Sequence, residues 1–204
     1  MKSLSFFFLM IATCFWNHAN ASIENSSESN ELIFKMDQTM QRTIIEKTEI
    51  KLIGISVRTG YQQELDKRKG FILPCVQRYF HGALFDKIPN RKNPGTTFCA
   101  YTDYENDYMG GYTYFIGEEV SSFDKNLPEG FEKLTIPKQR YVKFTTAPAP
   151  MPDVLVKAWN EIWKMPPEEL GGKRCYDTDY EIYDDRAADE QNIVLDLFIG
   201  ITKG

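Results

Sequence analysis

One carboxylate in this chain sits where it could do chemistry. Glu181 lies in Tyr180-Glu181-Ile182-Tyr183, an aromatic and β-branched run that reads as a strand. Residues two apart on a strand share a face, so Glu181 and Tyr183 point the same way. A carboxylate among rings is costly unless paired. A cationic ligand would supply the partner, with cation–π attraction from the rings. Desolvation would also raise its pKa and suit it to general acid or base work. A solvent-facing strand glutamate is the plain alternative. Trp159 and Trp163 are four apart and share one helix face. They either cover a sheet or wall a pocket. On the strand Gly111–Gly117, Tyr112, Tyr114 and Ile116 face one way, and Gly111, Thr113 and Phe115 the other. Tyrosines pair an apolar ring with a polar tip, which suits cores and adaptable pockets alike.

Other chemistries find little support. After the first 21 residues His81 is the only histidine. It has no nearby Cys or Asp at zinc-ligand spacing. The chain contains no Walker A loop and no GxGxxG. Asp103, Glu105 and Asp107 alternate without completing a calcium loop. No metal and no cofactor are expected. The net charge is −5 with no basic cluster, so nucleic acid is not an expected partner.

The elements that must position these residues come in a repeated order. Thr48–Thr59 alternates and reads as a strand. Gly70–Asp86 has helical spacing, with Pro74 in its first turn. Thr96–Glu105 and Gly111–Val120 read as two strands. Phe131–Thr146 is a strand pair, or one strand broken at Pro137. Met151–Met165 is a helix ended by Pro166-Pro167. Tyr180–Asp185 and Ile193–Thr202 are the last strands. Thr-Asp-Tyr-Glu occurs at Thr102–Glu105 and again at Thr178–Glu181. Phe-Ile-Gly follows each, at Phe115–Gly117 and Phe198–Gly200. This predicts an α+β fold of tandem strand–helix–strand–strand modules. The sheet would be antiparallel, with two main helices on one side and a cleft between the modules.

The N-terminus carries a targeting signature. Lys2 precedes the apolar run Ser5–Trp16, and Ala19-Asn20-Ala21 gives small residues at both recognition positions. Residues 1–21 therefore read as a signal peptide cleaved after Ala21. The run is shorter than the roughly 20 residues that span a bilayer. A periplasmic or secreted protein is expected, with no membrane insertion after cleavage. Residues 22–46 read as a polar, partly disordered leader and residues 47–204 as one domain. Cys75, Cys99 and Cys175 remain after cleavage. The odd count leaves at least one unpaired, and no pairing is favoured.

Several stretches together resemble the effector-binding domain of gyrase-inhibitor-like (GyrI-like) proteins, which also serves AraC-type and MerR-type regulators. They are Leu52–Thr59, Tyr112–Val120, Leu134–Phe144, Trp159–Trp163, Asp179–Asp185 and Ile193–Ile201. The resemblance runs from about Lys47 to Thr202. It implies a cleft between two modules that takes a bulky aromatic or cationic small molecule. It also implies that Glu181 is the buried charged anchor, with Tyr183 beside it. Tyr112, Tyr114, Trp159 and Trp163 would line the cleft. Some stand-alone members hydrolyse reactive small-molecule toxins, which makes a hydrolase using Glu181 the alternative to a binding protein. A protein-interaction module without a small ligand is the third reading. The chain departs from the regulators ahead of Lys47, where a signal peptide stands in place of a helix-turn-helix.

Overall fold

The structure, a computed structural model, describes residues 40–202 except Lys67. The expected signal peptide and most of the expected leader lie outside the described residues. Nine strands alternate with four short-to-medium helices. They run β1 (Gln41–Lys47), β2 (Ile50–Gly60), α1 (Tyr61–Leu65), α2 (Ile72–His81), β3 (Thr97–Thr102), β4 (Gly111–Glu119), β5 (Glu132–Ile136) and β6 (Gln139–Thr145). Then follow α3 (Asp153–Lys164), α4 (Pro167–Leu170), β7 (Lys173–Arg174), β8 (Thr178–Tyr183) and β9 (Asp196–Thr202).

The strands form one antiparallel sheet in the order β1-β6-β9-β8-β3-β4-β2-β5, with β7 on β9. The repeated module is β2-α2-β3-β4 and then β6-α3-β8-β9. The two modules meet where β3 pairs β8, from Thr97 opposite Tyr183 to Thr102 opposite Thr178. The hydroxyls of Thr102 and Thr178 close that seam at 3.1 Å. The order β4-β2 on one side of the seam mirrors β9-β6 on the other. The expected α+β tandem architecture is what the chain adopts.

Two details differ from the sequence expectation. The Thr-Asp-Tyr-Glu copies do not occupy equivalent places. Thr102 ends β3 and the next three residues enter a loop, whereas Thr178–Glu181 lies wholly inside β8. The duplication is in the order of elements, and the tetrapeptide match is incidental to it. The sheet also opens with a strand that the sequence reading does not assign, β1 from Gln41. β1 pairs along its whole length with β6, an edge partner that the polar, exposed sequence QRTIIEK does not announce.

β5 and β6 are joined only by Pro137 and Lys138, yet they belong to opposite ends of the strand order. The sheet must therefore curl enough to bring the start of β6 near the end of β5, while remaining open at its edges. Gly54 and Gly117 face each other across β2 and β4. A Cβ on Gly117 would stand 2.3 Å from the Ile53 carbonyl oxygen, so this close approach admits no side chain.

Alternation divides the buried residues between the two faces. Phe98, Ala100, Phe115, Tyr180 and Phe198 pack inside the curl with Ile136 and Tyr141. Ile53, Ile55, Tyr112, Tyr114, Ile116 and Tyr183 face the helices. α2 buries Ile72, Cys75, Val76 and Tyr79. α3 buries Val154, Leu155, Ala158, Trp159 and Ile162. That i, i+3, i+4 pattern makes one apolar stripe, and each fully buried Leu or Ile in it contributes about 1.5–3 kcal/mol. α3 stops at Met165, whose ψ of 125° is extended because a residue before proline is pushed out of the helical region.

Candidate functional site

α3 lies across the seam, and its two tryptophans reach from the second module toward the first. Seven residues from both modules line one cleft: Tyr101, Tyr104, Tyr108, Tyr112, Trp159, Trp163 and Arg174. Its empty volume is about 320 Å³ with the open mouth included. The rings are in contact. Tyr101 meets Trp159 edge-on with centroids 5.3 Å apart, and Tyr108 stacks on Trp163 at 5.2 Å and 10°. Trp159 and Trp163 are 5.9 Å apart on α3.

Glu181 sits directly behind this lining and is 1% exposed. Alternation puts it on the helix-facing side of β8. Its Oε1 accepts hydrogen bonds from the Trp159 indole N–H at 2.6 Å and the Tyr101 hydroxyl at 2.9 Å. Its Oε2 accepts from the Tyr183 hydroxyl at 2.8 Å. All three donors are neutral, and no ion pair reaches Glu181 among the described residues. Burial raises its pKa, and the three hydrogen bonds oppose that rise. Burial and the Glu181 charge together hold the Tyr101 and Tyr183 hydroxyls firmly protonated.

Two places along β8 on the same face, Asp179 is fully buried but differently served. It takes an ion pair from Arg174 on β7, the Tyr104 hydroxyl at 3.1 Å and the Gly200 backbone N–H at 2.9 Å. The Arg174 guanidinium lies over the Tyr176 ring at 4.5 Å and 6.0 Å from the Trp159 ring centre. Burial alone would favour its neutral form, but Asp179 more than offsets that and its pKa moves up. The strand thus carries two buried carboxylates, one with a cation and one without.

The expected residues are distributed as follows. Tyr112, Trp159 and Trp163 line the cleft, and Glu181 and Tyr183 form its polar backing. Tyr114 is 1% exposed and lies deeper, donating to Cys99 Sγ at 3.1 Å and packing against the Tyr101 ring. Tyr101, Tyr104, Tyr108 and Arg174 were not anticipated. Their signal was the tyrosine-dense stretch around the β3–β4 turn, YTDYENDYMGGYTY. Arg174 had no local signal. Cys75, Cys99 and Cys175 are free thiols. Among the described residues no group of His, Cys, Asp or Glu is arranged to hold a metal ion. No helix among them is long and apolar enough to cross a membrane.

A larger open groove of about 910 Å³ runs along the other side of α3, between Met40, Arg42, Phe144, Glu161, Lys164, Met165 and Glu169. Its charged side chains reach solvent, so it has no buried charge like that of Glu181 behind the aromatic cleft.

Comparison with known proteins agrees with this architecture. The chain is 30% identical over 155 residues to the proposed transcriptional regulator protein YobU of Bacillus subtilis, spanning 75% of this chain and 92% of that protein. The integron cassette protein from the mobile metagenome of Vibrio cholerae superposes with a TM-score of 0.63 at 24% identity, over 80% of this chain and 97% of that one. SAV2435, solved bound to tetraphenylphosphonium, superposes with a TM-score of 0.60 at 14% identity, over 80% and 94%. At these identities the two structures share the fold. The sequence profile described as Cass2, integron-associated effector binding protein, matches residues 43–201. With a curled sheet of paired modules and an aromatic cleft over a buried glutamate, the chain belongs to the Cass2 family of effector-binding proteins.

Proposed function

We propose that this protein binds a bulky aromatic cation in the cleft between its modules, with Glu181 as the charged anchor. The observation that carries this reading is the Glu181 carboxylate, buried beneath a wall of rings with three neutral donors and no cation. Desolvating such a charge is costly, and a cation seated against Trp159 and Tyr101 would offset the cost through both charge and cation–π attraction. The family's effector-binding character and the tetraphenylphosphonium held by SAV2435 support the same ligand class.

The cleft is nearly closed by its own rings, and a protein-interaction module without a small ligand would look similar there. The unpaired buried carboxylate distinguishes the two, because a module with nothing to bind gains nothing from it. Both Glu181 oxygens already accept hydrogen bonds, so the carboxylate is better placed to receive charge than to activate water. This favours binding over hydrolysis.

The direct test is calorimetric titration of tetraphenylphosphonium into the wild-type protein and the Glu181→Gln variant. Saturable binding that weakens in the variant supports the proposal. Absence of binding by the wild type refutes it.

We also propose export, on the signature of residues 1–21. Mass spectrometry of the protein recovered from cells expressing the full chain would find Ser22 at its N-terminus. Recovery with residues 1–21 intact, inside the cell, would overturn this.

A further inference from the structure

We infer that Arg174 is a second, oppositely charged anchor in the cleft, so that its preferred ligands are amphoteric aromatics with a cationic centre and an anionic group. The inference rests on the cleft reading above and adds the ligand's other end.

Arg174 lines the cleft together with the rings. Its side chain is only 8% exposed, yet its donors are mostly unused. One nitrogen, Nη2, is engaged by Asp179. Nε and Nη1 are buried with no hydrogen-bond partner among the described residues. Buried donors are nearly always satisfied, and a guanidinium presents them in a fork that fits a carboxylate or phosphate. Nε and Nη1 lie on opposite sides of the guanidinium, so the cleft wall offers an anion separate unused donors beside the Asp179 contact.

The local backbone is bent to build this arrangement. Tyr176 has φ of 52°, a left-handed conformation that costs a bulky residue about 1–2 kcal/mol. That conformation lays its ring under the Arg174 guanidinium and edge-on to Tyr104 at 5.6 Å. Asp179 fixes the other side. Strain held by its surroundings is typical of residues that position a ligand.

The two opposite charges set the ligand class. Asp179, which holds Arg174, and Glu181 are two residues apart on one strand face, about 7 Å along β8. A flat ring with a cation at one end and a carboxylate at the other carries the two charges that these anchors complement. Glu181 would receive the cation and Arg174 the anion, with Trp159 and Tyr101 against the ring.

A matched pair of probes tests this: 4-(aminomethyl)benzoate, a zwitterion, and its methyl ester, which keeps the cation and loses the anion. Affinities for both, and for tetraphenylphosphonium, are measured by competition and calorimetry. The variants are Arg174→Lys and the double variant Arg174→Gln/Asp179→Asn, which leaves no uncompensated buried charge. The wild type should prefer the zwitterion over the ester by about tenfold or more, the range for charged hydrogen bonds. The double variant should lose that preference, and Arg174→Lys should retain part of it. A zwitterion-to-ester ratio that does not change in the double variant overturns the inference. So does failure of the zwitterion to bind a wild-type protein that binds tetraphenylphosphonium. Failure of tetraphenylphosphonium itself to bind the wild type overturns the cleft reading on which both rest.

Discussion

Replacing Glu181 with glutamine removes one charge and turns the acceptor that faces Tyr183 into an N–H donor, to which the Tyr183 hydroxyl can rotate and accept. Glutamine has the same length, and its carbonyl oxygen can still accept from the Trp159 indole and the Tyr101 hydroxyl, now 2.6 and 2.9 Å from Oε1. What disappears is the attraction for a cation. A positive centre about 5 Å from the carboxylate, at an effective dielectric of about 20, is attracted by about 3 kcal/mol. The rings survive the substitution and keep their own attraction, about 0.5–2 kcal/mol. The expected loss is therefore about 1–3 kcal/mol, or about 5- to 150-fold in Kd. Calorimetry with tetraphenylphosphonium reads it directly, and quenching of Trp159 and Trp163 fluorescence gives an independent Kd. The wild-type affinity should also fall as pH drops through the raised Glu181 pKa, because only the carboxylate attracts the cation. The Gln variant should show no such dependence. A folded Gln variant with wild-type affinity and the same pH profile would refute the anchor role.

Glu181 also sets a stability signature. Its folded pKa lies above its ordinary value of 4.5, so the native state holds the proton more tightly than the unfolded chain. Wild-type stability relative to Glu181→Gln should then be highest below about pH 4.5 and fall as pH rises through the folded pKa. Urea unfolding across that range checks this, and a flat difference contradicts it. Trp159→Phe removes the indole donor to Glu181 and should cost about 1–3 kcal/mol. It should also move the pH midpoint of cation binding upward; an unmoved midpoint would deny the hydrogen bond its role. Gly117→Ala drives a methyl toward the Ile53 carbonyl oxygen and should cost about 1–3 kcal/mol, measured by the urea midpoint. Burial pushes the Cys75 thiol up to about 11 and Cys99 well above its ordinary value. Half-buried Cys175 should therefore react first with a thiol reagent at pH 8, as read by peptide mapping, and labelling of Cys75 or Cys99 ahead of it would contradict the packing.

The sequence determined the local terms. Period-two alternation on β4 put Tyr112, Tyr114 and Ile116 on the helix side and Phe115 on the other, and the structure agrees. The same rule put Glu181 and Tyr183 on one face of β8. Helical spacing placed Trp159 and Trp163 together on α3, and Pro166-Pro167 marked its end. These features depend only on backbone period and on proline's missing N–H, so a single chain displays them. The recurring order of elements was likewise legible, although the Thr-Asp-Tyr-Glu tetrapeptide is not its marker.

Tertiary structure decided the rest. The strand order that separates β5 from β6 across the sheet is set by which hydrophobic faces can close on one another, and no local window contains that choice. β1 is exposed and polar, and only its pairing with β6 makes it a strand. Whether Glu181 is buried depends on α3 crossing the seam so that Trp159 reaches it from 22 positions away. Tyr101 is 80 positions distant and Tyr114 belongs one layer deeper, distinctions that only packing depth can make. Arg174 is the plainest case. In the sequence it is one cation among 24 lysines and arginines, and only the fold removes it from water, sets it on Tyr176 and Asp179, and leaves part of its fork unsatisfied.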